Sequence, residues 1–336
     1  MEIYVDRERA HNAFQALLKV YRDGAYPFSE PEVQPPQVKE NMPKTLVYGS
    51  LEHASYLKVS CFWMRGGIRS VTAFQLLSTF YDAHPEFFVP SEWKRIDPVA
   101  LCRLLQDSRL GFQANFISRA WRENFRRIAE RHDGDPVNLV RGVASYEEAC
   151  GRIKNSGKEG LLGFREKMVS MLIYFFLDAR LVVPSFAFPL PVDFHVCRIV
   201  LANELVVVKN PPKGDHYKPE VLAVIRELVV GFCVETGTDV IEFCNALWLF
   251  SQAMCARYAG NESLQIRGSG RQAVIEPAPR WSLAQTAAFY RSCDKCVLAS
   301  TCRWAIPSMN YYISGQLILR EPREVPTQGN LFKMLV

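Results

Sequence analysis

Residues 293–302 read CDKCVLASTC. Three cysteines fall there in a C-x2-C-x5-C pattern, near the end of a 336-residue chain. Thiolates at this spacing form a chelating turn for zinc or an iron–sulfur cluster. Their neighbours are polar (SCDKC, ASTC), so they do not read as core fillers; the alternative is three ordinary thiols on a surface loop. A fourth ligand has to come from another segment. The helix EFCNALWLFSQAMCARYAG (242–260) offers Cys244 and Cys255. They are eleven residues apart, which at 100° per residue places them on nearly one helix face. Cys255 is nearer the helix end and the loop, and is the preferred ligand. Four thiolates with no open position suit a closed site, so chemistry is expected elsewhere in the chain.

The remaining composition sets broad limits. The chain is 49% hydrophobic and 22% charged, which suits a folded protein with a large core. The start, MEIYVDRERAH, is charged and does not read as an export signal. Ten cysteines in such a chain argue against a disulfide framework. Cys61, Cys102, Cys150, Cys197 and Cys233 stand alone among apolar neighbours and read as ordinary thiols. Apolar runs such as LIYFFLDARLVV are interrupted by charge and too short to span a bilayer. The expectation is a soluble, cytoplasmic protein with no membrane partner. A net charge of +5 permits an anionic partner without requiring one.

Proline-rich stretches at 27–44, 182–191 and 210–219 mark loops. Between them, residues 67–83, 113–131, 163–178, 218–235 and 237–259 repeat apolar residues every three or four positions, which predicts helices. LVVVKN (205–210) reads as a short strand, and 265–277 as a hairpin or a loop. The fold class is therefore all-α, with irregular insertions.

Several of these stretches together resemble the helix–hairpin–helix DNA glycosylases of the endonuclease III type. That family ends in a cluster loop of spacing C-x6-C-x2-C-x5-C. The last three cysteines here match it, and the first interval is expanded, since 37 residues separate Cys255 from Cys293. PVDFHVCRIV (191–200) is similar to the family's V-D-T-H-x-x-R-V segment. GFQANFISRAWRENFRRIAERHDGDP (111–136) resembles the helix before the hairpin, and LLGFREKMVSML (161–172) the hairpin segment L-P-G-V-G-R-K-T-A. The resemblance covers roughly residues 60–302 and keeps the family order.

The resemblance implies a two-lobed helical fold. Residues 45–185 would form a helical barrel domain with the hairpin-like segment. Residues 1–44 and 186–310 would form the cluster domain, with the active site in the cleft between them, and 311–336 a C-terminal tail. It implies a 4Fe-4S cluster on Cys255, Cys293, Cys296 and Cys302, with zinc as the alternative metal. Asp193 would be the catalytic carboxylate, and Lys167 would stand where bifunctional members keep a Schiff-base lysine. Arg65, Gly66, Gly67, Gly163, Arg165, His195 and Arg198 would contact nucleic acid or the base. The implied activity is N-glycosidic hydrolysis that releases a damaged or modified base, with a lyase step if Lys167 attacks the sugar. The partner would be nucleic acid, DNA ahead of RNA.

Each role has a structural alternative. Asp193 precedes an apolar helix and would serve as its N-cap, a role compatible with catalysis. Lys167 attacks only as a neutral amine, which requires burial; otherwise it is a solvated lysine beside Glu166. His195 reads equally as a satisfied structural histidine, and Arg198 as a helix-surface residue. Phe186, Phe188, Phe194, Trp63 and Met64 would stack on an extruded base or pack in the core. The five arginines of 119–131 track phosphates or form a solvated face.

The chain also departs from the family. Arg165 replaces the hairpin's second glycine, and Gly66 and Gly67 stand where a base-replacing Gln is usual. These departures motivate two alternatives: a modified nucleoside or nucleotide as substrate, or a non-catalytic iron–sulfur nucleic-acid-binding protein on the same scaffold.

Overall fold

Short polar residues start most of the helices. Ser50, Asp97, Ser145 and Asp239 each accept a hydrogen bond from a backbone amide one turn into the helix that follows. In the computed structural model these caps open α2 (Leu51–Ser60), α4 (Pro98–Asp107), α6 (Tyr146–Ile153) and α10 (Val240–Phe250). The remaining helices are α1 (Arg7–Arg22), α3 (Ser70–Ala83), α5 (Ala114–Arg131), α7 (Glu166–Asp178), α8 (Phe194–Ala202) and α9 (Lys218–Thr236). The structure describes residues 1–63, 68, 70–155, 160–183, 186–210, 218–255, 265–268, 272–276, 295–302 and 317–320. The fold is mostly helical, as the apolar periodicity predicts.

The chain divides into two compact units, Met1–Gln34 with Val192–Val336, and Pro35–Pro191. Both breaks lie in or beside proline-rich sequence. The first unit is discontinuous because β1 (Glu2–Val5) pairs antiparallel with β2 (Val206–Lys209). Helix α1 then packs on α9 and α10. Phe14, Phe232 and Phe243 meet there, with ring centroids 4.9–5.4 Å apart. Strands β3 (Gln265–Gly268), β4 (Gln272–Glu276) and β5 (Leu317–Arg320) form an antiparallel sheet in that order. The hairpin alternative at 265–277 is therefore the one realised, and part of the C-terminal tail adds a strand to it.

The continuous unit holds α2 to α7 around an aromatic core. Phe74, Phe80, Phe88, Trp121 and Phe125 are almost fully buried there. Trp121 packs edge-on against Phe88 and donates its indole N–H to the Phe87 carbonyl at 2.8 Å. Burying a ring of this size stabilises the unit by about 2–3 kcal/mol.

Candidate active site and metal centre

The residues between α6 and α7 turn sharply. Gly160 and Gly163 both adopt left-handed backbone, with φ of +70° and +84°. At Gly160 a Cβ would lie 1.9 Å from the Lys154 carbonyl oxygen, so no side chain fits. Helix α5 holds this loop from behind. Asn124 donates to the Leu162 carbonyl at 3.0 Å and accepts the Leu162 amide at 2.6 Å. Arg127 donates to the Gly160 carbonyl at 2.7 Å. Helix, tight loop and helix are thus clamped onto a third helix.

Arg165, which the sequence resemblance aligned with a glycine, has φ −105° and ψ 177°. This is extended backbone that any residue adopts, so the substitution introduces no strain. Arg165 and Lys167 are both exposed at the start of α7. The burial that a neutral attacking lysine requires is not found at Lys167.

Of the five α5 arginines Arg127 is buried, Arg122 and Arg126 are half-buried, and Arg119 and Arg131 are exposed. Glu123 binds Arg126 and Arg127 at 2.6 and 2.8 Å, and Arg126 also pairs with Glu130. The Arg126 guanidinium, helped by Arg127, holds the Glu123 carboxyl down at about 2. Arg122 lies over the Trp93 ring, and Arg119 donates to the Asn115 carbonyl. Arg119, Arg122, Arg126 and Arg127 therefore engage groups of their own unit.

Asp193 is the N-cap of α8. One carboxylate oxygen, Oδ1, accepts both the His195 amide at 2.8 Å and the Val196 amide at 3.2 Å. The other oxygen makes no hydrogen bond among the described residues, and the side chain is partly exposed. The cap fixes the carboxylate's orientation and leaves half of it available.

His195 is buried at 6% exposure. Its Nδ1 lies 3.1 Å from the Ser251 hydroxyl, and its ring meets Trp248 edge-on at 5.4 Å. It packs α8 against α10. Arg198 is half-buried on α8. Trp63 and Phe188 are buried, so core packing is the realised alternative for both. Phe186 packs half-buried against Tyr146. Arg65, Gly66, Gly67 and Met64 lie outside the described residues, as does the side chain of Phe194.

Two of the four expected cluster ligands are described. Cys296 and Cys302 are half-buried in a tight turn that is closed by Ala299 N–H to the Cys296 carbonyl at 3.0 Å and Cys302 N–H to the Leu298 carbonyl at 2.8 Å. Leu298 is the turn's buried anchor, at 3% exposure. Arg9 of α1 donates to the Thr301 carbonyl at 2.8 Å, and the Thr301 hydroxyl donates to Asn203 Oδ1 at 2.8 Å. The turn is therefore docked on the end of α8 and the start of α1. A groove of roughly 430 Å³ opens beside it, lined by Asp6, Arg9, Asn12 and Ser300 among others.

Cys293 and the Cys255 side chain lie outside the described residues, and no group of three or more metal-binding side chains gathers among the described ones. The backbone does bear on the shared-face argument for Cys244 and Cys255. After Phe250 the helix continues as a π-turn, Ser251–Cys255. A π-turn winds more slowly than 100° per residue, so the eleven-residue argument for a shared face of Cys244 and Cys255 does not hold. Cys244 is buried within α10, whereas Cys255 ends the helical segment. Half-buried thiols in a polar turn fit a thiolate-bound cluster.

The isolated cysteines behave differently. Burial, reinforced by the Asp193 charge, pushes the Cys197 thiol up to about 12. Burial, with Asp239 and Glu242, does the same to Cys233. Such thiols stay protonated and inert.

No family model matches this chain, and neither a curated protein nor a solved structure does. No helix among the described residues is long and apolar enough to cross a membrane.

Asn124 was not read from the sequence as a functional residue. Its signal was present: a polar residue on the apolar stripe of an amphipathic helix, four positions before Ile128.

Proposed function

We propose that this chain is an N-glycosylase that releases a modified base from a nucleic acid, built on a helix–hairpin–helix scaffold with a 4Fe-4S cluster. The observation that carries the reading is Asp193, whose carboxylate is oriented by two backbone amides through one oxygen while the other stays uncommitted. Breaking the C1′–N bond sends its electron pair out with the base and leaves positive charge on the sugar. A fixed carboxylate stabilises that charge. It also takes a proton from the water whose oxygen bonds to C1′, and the departing base is protonated in turn. A cap that locks the carboxylate's direction suits this work, because the group does not reorganise as charge develops.

Cys255, Cys293, Cys296 and Cys302 would hold the cluster. Its role would be to fix the 295–302 turn, with the reaction left to Asp193. The clamped hairpin supports the same reading, since a rigid loop entering a helix presents backbone amides to a phosphate. The exposure of Lys167 favours simple hydrolysis over a lyase step.

The pairing of α5 arginines with groups of their own unit favours a second reading of the same chemistry. A protein with fewer free cations suits a single strand or a modified nucleoside better than a long duplex. The test is free-base release from matched duplex, single-stranded DNA, RNA and nucleoside panels. Release from any of them supports the glycosylase. Salt-sensitive binding without release from any would overturn it in favour of a non-catalytic binding protein.

A further inference from the structure

Lys58 stands in the last turn of α2 with 0% of its surface exposed. Its Nζ lies 4.3 Å from the centroid of the Phe125 ring and 5.3 Å from that of Phe62. Among the described residues nothing accepts a hydrogen bond from this nitrogen. Ser55, one turn earlier on the same helix face, has a fully buried hydroxyl that also lacks a partner.

An ammonium group in this position would give up all its hydration. Ring faces attract a cation, but they replace only part of what three hydrogen bonds to water supplied. Buried charges persist when they are paired, and neutralise when they are not. The free amine has no such requirement.

Among the described residues, the titratable surroundings do not supply a counter-charge. Just past the end of α2 stands the Cys61 thiol, which bonds the Leu57 carbonyl. His53, at the helix start, is buried and accepts the Gly49 amide at Nδ1. Helix α5 presents the Phe125 ring, and both its acids are paired, Glu123 with Arg126 and Arg127, and Glu130 with Arg126. On α7, Glu166 and Lys167 are exposed, Tyr174 bonds Gln37, and Asp178 is half-buried at the far end. Helix α3 carries Tyr81, which is buried, and Asp82, which is exposed. The turn Pro85–Phe88 carries an exposed Glu86, and Pro136–Leu139 carries no titratable group. Burial alone pulls the Lys58 amine down from 10.5 to about 7, opposed only by Cys61.

We propose that the unit Pro35–Pro191 folds around Lys58 as a free amine, and that this one buried nitrogen makes the unit's stability proton-dependent. The inference does not depend on the glycosylase reading. Its sign follows from linkage. Between about pH 7 and 10.5 the unfolded chain holds a proton that the native chain does not, so stability rises with pH across that window. Below about 7 both states hold the proton, and the full penalty remains. Across the window the folding constant shifts on the order of a thousandfold.

The test is carbon NMR of the full-length native protein labelled at lysine Cε, titrated from neutral to alkaline pH. One lysine carbon should titrate near pH 7, about three units below the others, and should be missing from Lys58→Met. If every lysine carbon titrates above about pH 9, the proposal is overturned. Urea midpoints supply the second arm. The wild-type midpoint should climb relative to Lys58→Met between pH 7 and 10, and parallel curves would overturn the proposal. If Lys58→Met does not fold, the wild-type titration decides alone.

Discussion

Asn124 of α5 and Leu162 of the loop before α7 exchange two hydrogen bonds, one in each direction, at 3.0 and 2.6 Å. Asn124 is fully buried, so no water replaces either bond. Asn124→Ala would remove the partner of both backbone groups of the half-buried Leu162. The expected loss is about 2–4 kcal/mol in urea unfolding. A change below about 0.5 kcal/mol would show that the loop is held in place without the clamp.

Gly160 tests the loop by a different route. Its positive φ and the 1.9 Å approach to the Lys154 carbonyl leave no room for a methyl group. Gly160→Ala should destabilise the protein by roughly 3 kcal/mol or unfold the loop. Gly151→Ala is the control, since a Cβ there meets nothing within 4 Å.

The Glu123 cluster gives a pH signature of the opposite kind to Lys58. Its carboxyl is held at about 2, below the ordinary 4.5, first by Arg126 and then by Arg127. A depressed carboxyl contributes stability that is fully present above about pH 4.5 and is lost as pH falls toward 2. The side chain is 28% exposed, so solvent screening reduces the contribution to about 1–2 kcal/mol. Glu123→Gln should be less stable than wild type at pH 7, and the gap should close on acidification to about pH 2. A gap that stays constant with pH would contradict the pairing.

The sequence carried the parts of this fold that depend on local chemistry. Apolar spacing marked α5, α7 and α9, and Asp193 read as a cap because a short carboxylate before an apolar helix satisfies two free amides. What escaped depended on distant partners. Nothing local says that Arg127 bonds Gly160, 33 residues away. His195 has polar chemistry and a plausible motif position, yet Ser251 and Trp248 enclose it. The π-turn at Ser251–Cys255 likewise has no composition signal, and it undid a ligand argument that assumed uniform helical winding. Lys58 is the clearest case, since a charged residue in a helix reads as solvated until its aromatic surroundings are known.

The cysteine turn makes a direct chemical prediction. Protein purified without oxygen should carry roughly four irons and as many sulfides per chain, with a broad absorbance near about 400 nm. Cys302→Ser and Cys255→Ser should lose most of the iron, whereas Cys244→Ser should keep it. Stoichiometric zinc, or a chain whose iron survives Cys302→Ser, would break the link between CDKCVLASTC and an iron–sulfur site.

The most direct measurement is single-turnover base release by Asp193→Asn beside wild type, on whichever substrate panel the wild type cleaves. Asparagine caps a helix about as well as aspartate, so α8 should remain intact while the charge is removed. The account predicts a loss of at least about a hundredfold in release rate, with thermal stability and iron content unchanged. Release at the wild-type rate by a folded, cluster-loaded Asp193→Asn would show that Asp193 is a cap and nothing more.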